Sequence, residues 1–162
     1  MHTDNCATCG RSVGAHNRHL RFQLPTPLVE LPDWEQLPGL WMSHDTPTES
    51  VMLQADGYGA FVRALLPIHL KGDHTLTYGV WIGVHPAQLQ EAFAVWWGDN
   101  PAYLDLRLDG RLANRIDPWD LLGSPVVAAV RSAEETPYCV SSEDPVLARV
   151  LTHTWPHDEV LP

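Results

Sequence analysis

Two long runs of strand-forming residues, separated by a short turn, constrain the fold of this chain most strongly. Residues 58–70 and 75–84 are rich in β-branched, aromatic and aliphatic side chains. The turn between them, Lys71-Gly72-Asp73-His74, is short enough to bring the second run back alongside the first. The pattern therefore predicts a long antiparallel β-hairpin as the centre of the fold.

Further strands and two helices extend this hairpin to an α+β fold. Apolar alternation or β-branched residues predict strands over 50–55, 103–108, 111–116 and 125–131. Helices are predicted over 87–97, after Pro86, and over 145–153, after Asp144. The sequence thus predicts a mostly antiparallel sheet with two main helices and an N-terminal Cys-x-x-Cys knuckle.

Turn and cap signals refine these boundaries. Asp109-Gly110 is the strongest hairpin dipeptide in the chain and predicts a turn between strands 103–108 and 111–116. Asp33 is the predicted N-cap of a short helix over 33–37, and Asp144 is that of the last helix.

Residues 24–47, which we call the strap, contain five prolines and are predicted to lack long regular elements. Their apolar side chains are predicted to pack the strap onto the core. These side chains are Leu28, Val29, Leu31, Trp34, Leu37, Leu40 and Trp41.

The charge is unevenly distributed. The chain has a formal charge of −10, while residues 1–24 hold three arginines against one aspartate, so the remainder carries −12. An acidic body repels phosphate backbones and is instead suited to a basic protein partner. We therefore divide the chain into an N-terminal segment over 1–24 and a single α+β domain over 25–162.

The compartment is predicted from hydropathy and cysteine content. No apolar run approaches the ~20 residues of a membrane span, so no membrane partner is expected. Three cysteines do not make a disulfide framework. A reducing cytoplasm is the simplest compartment for such a chain, and there a Cys-x-x-Cys pair typically binds metal.

The N-terminal knuckle is the predicted metal site. Cys6, Cys9, His16 and His19 form a C-x2-C-x6-H-x2-H pattern that offers four ligands to tetrahedral zinc. The second half departs from the usual finger, in which about a dozen residues separate the two pairs. The alternative is a reduced thiol pair that holds no metal. Cys139 is predicted to be a core residue, and a reserve ligand only if the tail folds back.

The chain resembles a bacterial family, the domain of unknown function numbered 2199. Its matching motifs follow one another along nearly the whole chain, and the resemblance implies a shared fold without implying a reaction. They are Cys6-x-x-Cys9-Gly10, Leu66-Pro67, Gly79-Val80-Trp81-Ile82, Leu112-x-Asn114-Arg115 and Asp144-Pro145-Val146-Leu147-Ala148.

Four residues are candidates for a partner or ligand surface. Trp97 lies off the apolar face of the predicted helix. For Trp81 two positions are open, one in the core and one in an exposed aromatic groove. Asn114 and Arg115 match the family motif, although a structural role is also open to the asparagine. Three histidines around the hairpin, His69, His74 and His85, are further candidates for a site near Asp73, with surface positions as the alternative.

The predicted function is that of an uncharacterised, non-enzymatic module that binds a partner through an acidic, tryptophan-bearing face and has a structural zinc site. The alternative is a zinc-dependent hydrolase or ligand-modifying enzyme, in which three protein ligands leave one zinc position open for water. We find no established catalytic motif to support that alternative.

Zinc binding is tested by elemental analysis of protein purified without chelators. We expect about one zinc ion per chain, because two thiolates and two imidazoles complete a tetrahedral shell. Cys6→Ser and Cys9→Ser should each abolish the bound zinc, whereas Cys139→Ser should leave it unchanged. Metal-free wild-type protein would contradict the prediction.

Overall fold

The computed structural model describes residues 19–72, 74–156 and 160, and within them eight strands form one sheet. The strands are β1 (His19–Arg21), β2 (Trp41–Met42), β3 (Met52–Ala55), β4 (Gly59–Leu70), β5 (His74–Val84), β6 (Arg107–Leu112), β7 (Pro125–Ala129) and β8 (Tyr138–Ser141). The α-helices are α1 (Thr26–Val29), α2 (Pro86–Trp96) and α3 (Pro145–Thr152), and 3-10 helices cover Trp34–Gln36 and Pro101–Asp105.

Five of the strands form a closed barrel, because their pairings return to the first strand. β4 pairs with β5, and the circuit continues through β6, β7 and β8 back to β4. β1 lies alongside β5, while β3 and then β2 lie alongside β4. The β1–β5 and β4–β8 pairs are parallel and the others are antiparallel. The predicted α+β fold with a mostly antiparallel sheet is confirmed. The closure of five strands into a barrel is not part of that prediction.

The central hairpin follows the prediction closely. Its register runs without a break from Leu70 opposite His74 to Ala60 opposite Val84. The preceding turn places Gly57 at φ +81°, a conformation that glycine adopts without strain, and leads from β3 into β4.

The two faces of this hairpin build two separate apolar clusters. Alternate side chains such as Val62, Leu66 and Ile82 point into the barrel core. On the opposite face, Phe61 and Trp81 pack under the strap together with Leu28 and Leu53. Because both faces are covered, β4 and β5 show nearly continuous burial instead of the simple alternation of a half-exposed sheet.

Arg63 lies at the boundary between the hairpin and the strap, and it is buried without a carboxylate partner among the described residues. Its side chain is 1% exposed, and its guanidinium carbon lies 4.0 Å from the centroid of the Trp81 ring. The guanidinium donates hydrogen bonds to the backbone carbonyl oxygens of Phe22, Gln23, Pro47, Ser50 and Gly79. Burial, and secondarily the charge of Arg21, lower the pKa of Arg63 to about 9, so the group remains charged at neutral pH.

The predicted hairpin turn at Asp109-Gly110 is wrong, because both residues lie inside β6. A Cβ atom at Gly110 would lie 2.1 Å from the carbonyl oxygen of Gly83, so glycine is needed there for close approach of β5. The antiparallel partner of β6 is β7, which follows a longer connection, and the strand predicted over 111–116 does not form.

The helix boundaries agree with the predictions within a residue or two, with two corrections. Asp144 caps α3 by accepting a hydrogen bond from the Leu147 amide at 2.9 Å, as predicted. Asp33 precedes a 3-10 helix and makes no side-chain cap, so its predicted capping role is wrong. Residues 101–105 form a 3-10 helix in place of the first half of the predicted strand. Among the described residues, no helix has the length and hydropathy needed to cross a bilayer.

We expect Arg63→Met to lower the free energy of unfolding by about 4 kcal/mol, because five backbone carbonyl oxygens lose a charged donor. Arg63→Lys should cost less, since an ammonium keeps the charge but has three donors instead of five. Urea denaturation measures both. Arg111→Met serves as the control, because Arg111 is exposed and makes one hydrogen bond, to the Gly123 carbonyl oxygen. Equal losses for Arg63→Met and Arg111→Met would contradict the role given to Arg63.

Candidate functional site

Helix α2 leaves part of its apolar stripe uncovered. It begins at Pro86, where the Nδ1 atom of His85 accepts a hydrogen bond from the Ala87 amide at 3.0 Å. Leu89 and Ala92 are buried against the barrel core. Phe93 continues the same stripe, yet its side chain is 46% exposed. An exposed phenylalanine on a core-facing stripe marks the point beyond which the rest of the described chain no longer packs over that side of the helix.

Aromatic side chains from two distant parts of the sequence meet at this point. The Trp41 ring of β2 lies edge-on to Phe93 with ring centroids 5.9 Å apart, and Phe93 lies 5.8 Å from Trp97. Trp97 in turn lies 5.8 Å from the His44 ring. We call Trp41, His44, Phe93 and Trp97 the aromatic surface. Trp41 and Trp97 are about as exposed as each other, at 40% and 41%.

A cavity of about 240 Å³ lies beside the aromatic surface, between β2 and α2. Apolar side chains and two amides line it: Trp41, Gln54, Leu89, Gln90 and Phe93. Such a lining suits an apolar group whose position is fixed by one or two hydrogen bonds.

The aromatic surface is carried by two segments of strongly acidic composition. Residues 24–62 and 85–106 contain nine carboxylates and no lysine or arginine. All nine residues are exposed: Glu30, Asp33, Glu35, Asp45, Glu49, Asp56, Glu91, Asp99 and Asp105. Glu30 forms an ion pair with Arg115 at 3.1 Å. The surroundings of the aromatic surface therefore favour cations and repel anions.

The four predicted surface residues are placed differently from one another. Trp97 belongs to the aromatic surface. Trp81 and Asn114 are fully buried, so they lie in the interior and not at a contact surface. The Asn114 side chain accepts a hydrogen bond from the Trp81 amide at 2.8 Å and donates one to the Leu24 carbonyl oxygen at 2.9 Å, which ties the strap to β5. Arg115 is exposed and pairs with Glu30 and, at 3.5 Å, with Asp120.

The predicted zinc ligands Cys6, Cys9 and His16 lie outside the described residues. His19 begins β1, where its backbone pairs with Thr77 of β5. Within residues 19–72, 74–156 and 160, no group of three potential metal-binding side chains occurs. Zinc binding therefore stays a prediction. Cys139 lies in the barrel core as predicted, at 1% exposure.

The three histidines of the hairpin do not converge. His69 and His74 line one cavity with Thr154, at the end of the hairpin where β4 turns into β5. His85 follows the opposite end of β5, which at 11 residues spans roughly 35 Å. Its ring caps α2 instead.

Trp41, His44 and Phe93 were not predicted as site residues. The strap residues Trp41 and Val29 were expected to pack down, but they are 40% and 61% exposed. Phe93 shares a helical stripe with Leu89 and Ala92, so the periodicity of α2 predicts a buried position for it. The sequence signal that points to a site here is the absence of basic residues around these aromatic side chains.

Comparison with known proteins places the chain in a family. A family model described as "Uncharacterized protein conserved in bacteria (DUF2199)" matches residues 5–150. The chain belongs to this family, as the resemblance of its motifs indicated. No curated protein and no solved structure matches the chain.

Cys139 generates a testable prediction about its reactivity. Burial raises the pKa of its thiol to about 12, so at pH 8 only about one thiol in ten thousand is ionised. A Cys6→Ser/Cys9→Ser variant should therefore not react with Ellman's reagent when folded, and should release one equivalent of thionitrobenzoate in guanidinium chloride. Its matched control adds Val140→Cys and Cys139→Ser, because residue 140 is the exposed neighbour on the same strand. Equal native reaction rates for the two proteins would contradict the assignment.

Proposed function

We propose that this DUF2199 protein is a non-enzymatic binding module that docks a cationic, partly apolar segment of a partner protein on the aromatic surface. The observation that carries the proposal is the meeting of Trp41, Phe93 and Trp97, each about 40% or more exposed, on segments without lysine or arginine.

Aromatic rings and carboxylates together recognise basic side chains. The guanidinium of arginine and the ammonium of lysine are attracted to the faces of tryptophan and phenylalanine. Their aliphatic stems cover apolar surface while the charged head stays near solvent and carboxylates. Glu91 and Asp99, which flank Phe93 and Trp97 in sequence, are exposed and form no ion pair with another described residue, so they can serve as such counter-charges. Tryptophan is also among the residues that contribute most to the free energy of protein association.

Two residues whose pKa values are raised, Tyr103 and Cys139, lie away from the aromatic surface. Burial raises the pKa of Tyr103 to about 12 and that of Cys139 equally high, which disfavours the ionised, reactive form of each. The Tyr103 hydroxyl donates to the backbone carbonyl oxygen of Glu135, a structural contact. Neither residue lines the cavity beside the aromatic surface.

The proposal includes a structural role for the N-terminal knuckle in a reducing cytoplasm. Zinc held by Cys6, Cys9, His16 and His19 would fix the segment that leads directly into β1. Supporting this, β1 stands at one end of the strand order of the described residues, and its described pairing with β5 runs over His19–Arg21, so an anchor at its start would stabilise it.

Selection of a random nonapeptide phage library on the full-length protein tests the proposed function. We expect the enriched peptides to carry a net positive charge and at least one large apolar residue. Binding of their synthetic forms should weaken about tenfold or more in Phe93→Ala and in Trp97→Ala, because each variant removes an aromatic contact. Isothermal titration calorimetry measures the affinities, and raising the salt concentration should weaken binding further.

Val146→Ala is the matched control for the aromatic variants. Val146 lies on α3 and is 45% exposed, so its truncation removes exposed apolar side-chain surface from another element. Enriched peptides without net positive charge, or equal losses of affinity in Phe93→Ala and Val146→Ala, would overturn the proposed function.

A further inference from the structure

Strand β2 is an outer strand that runs between two cavities. In the described part of the chain it pairs with β3 alone and stands at the end of the strand order. Successive side chains of a strand point to opposite faces. Trp41 accordingly lines the 240 Å³ cavity next to α2, while its neighbours Leu40 and Met42 line a second cavity of about 380 Å³ on the strap side.

The backbone of β2 is oriented for pairing with a further strand. Ser43 donates its amide to the Met52 carbonyl oxygen at 3.0 Å, and the Met52 amide donates to the Ser43 hydroxyl at 3.2 Å, so Ser43 occupies a hydrogen-bonded position opposite Met52. In an antiparallel ladder such pairs alternate with non-hydrogen-bonded ones, so Met42, opposite Leu53, directs its N–H and C=O away from β3. One donor and one acceptor therefore face the open edge.

The two cavities differ in chemistry. The first is mainly apolar and aromatic. The second is lined by Glu35 and Asp45 as well as by Leu40 and Met42. Both carboxylates are exposed. Arg63 lies behind this cavity, where its guanidinium donates to the backbone carbonyl oxygens of Gln23 and Pro47. None of the ion pairs among the described residues involves Glu35 or Asp45. An apolar side chain fits the first cavity, and a basic side chain with an aliphatic stem fits the second.

We propose that β2 binds the partner as an added β-strand whose side chains alternate between apolar and basic. Residues opposite Trp41 enter the aromatic cavity, and residues opposite Met42 reach Glu35 and Asp45. Main-chain hydrogen bonds to Met42 provide affinity, and the two cavities provide the sequence preference. This inference rests on the proposed function and adds to it the conformation and the sequence pattern of the bound segment.

Two blocked nonapeptides of identical composition test the inference. One alternates leucine and arginine, with five leucines and four arginines, and the other groups the five leucines before the four arginines. An added strand presents opposite faces only in the alternating peptide, so we expect it to bind at least tenfold more tightly in isothermal titration calorimetry. Equal affinity of the two peptides would overturn the added-strand inference while leaving a cationic-segment module intact.

N-methylation of the alternating peptide provides the second measurement. Backbone pairing uses the amides of every other residue. Because Met42 offers a single C=O to the added strand, methylating one amide at a time should weaken binding strongly at one central position and have little effect at its two neighbours, whose amides point away from β2. A flat response, or absence of binding by the unmodified alternating peptide, would also overturn the inference.

Charge variants identify the second cavity as the site for the basic side chains. Glu35→Gln and Asp45→Asn should each weaken the alternating peptide about threefold or more. Glu134→Gln removes the same charge from an exposed carboxylate that lines neither cavity and should have little effect. Equal effects of Glu35→Gln and Glu134→Gln would contradict the placement of the basic side chains.

Discussion

The buried guanidinium of Arg63 connects the central hairpin to the strap. It joins segments that are far apart in sequence, because its acceptors lie before the strap, at the end of the strap, two residues before β3 and on β5. An isolated buried cation is destabilising unless hydrogen bonds replace its hydration. Here backbone carbonyl oxygens and the face of Trp81 take the place of water. Since these acceptors are backbone atoms, the positions of the segments that carry them determine how well the charge is satisfied.

Fixing the strap also fixes the aromatic surface. Trp41 and His44 belong to the strap, whereas Phe93 and Trp97 come from α2 and its C-terminal end. The two groups meet because Asn114 and Arg63 hold the strap against the outer face of the hairpin, while Leu89 and Ala92 hold α2 against the barrel. A rigid scaffold of this kind lowers the entropy lost on binding, since the contacting rings are already in place.

The long hairpin and the two main helices could be predicted because their signals are local. Alternation, prolines at the first helical position and the Asp144 cap all act within a few residues. The closed barrel could not be predicted in this way, because it depends on the close approach of Gly110 to Gly83, residues far apart in the chain. The same limitation explains the misplaced Asp109-Gly110 turn, where a glycine required for packing resembles a glycine required for a turn.

The candidate site was only partly predictable for a related reason. Trp41 and Phe93 are of residue types, and at sequence spacings, that are typical of a core. They are exposed because other described parts of the chain do not pack fully over them. No local pattern distinguishes an aromatic residue that its own fold covers from one left for a partner. Trp97 was identified because it lies off the helical stripe, and the acidic composition indicated a basic partner without indicating where it binds.

The acidic surroundings link binding to stability. Carboxylates on segments without basic residues repel one another over a Debye length of about 8 Å at physiological ionic strength. A cationic segment relieves this repulsion and covers the exposed rings at the same time. A ligand that binds only the folded state stabilises it by about 2.7 kcal/mol at a concentration of a hundred times its Kd. Salt screens the charge contribution but leaves the apolar contact, so affinity at high salt reports the aromatic surface, and the difference from low salt reports the carboxylates.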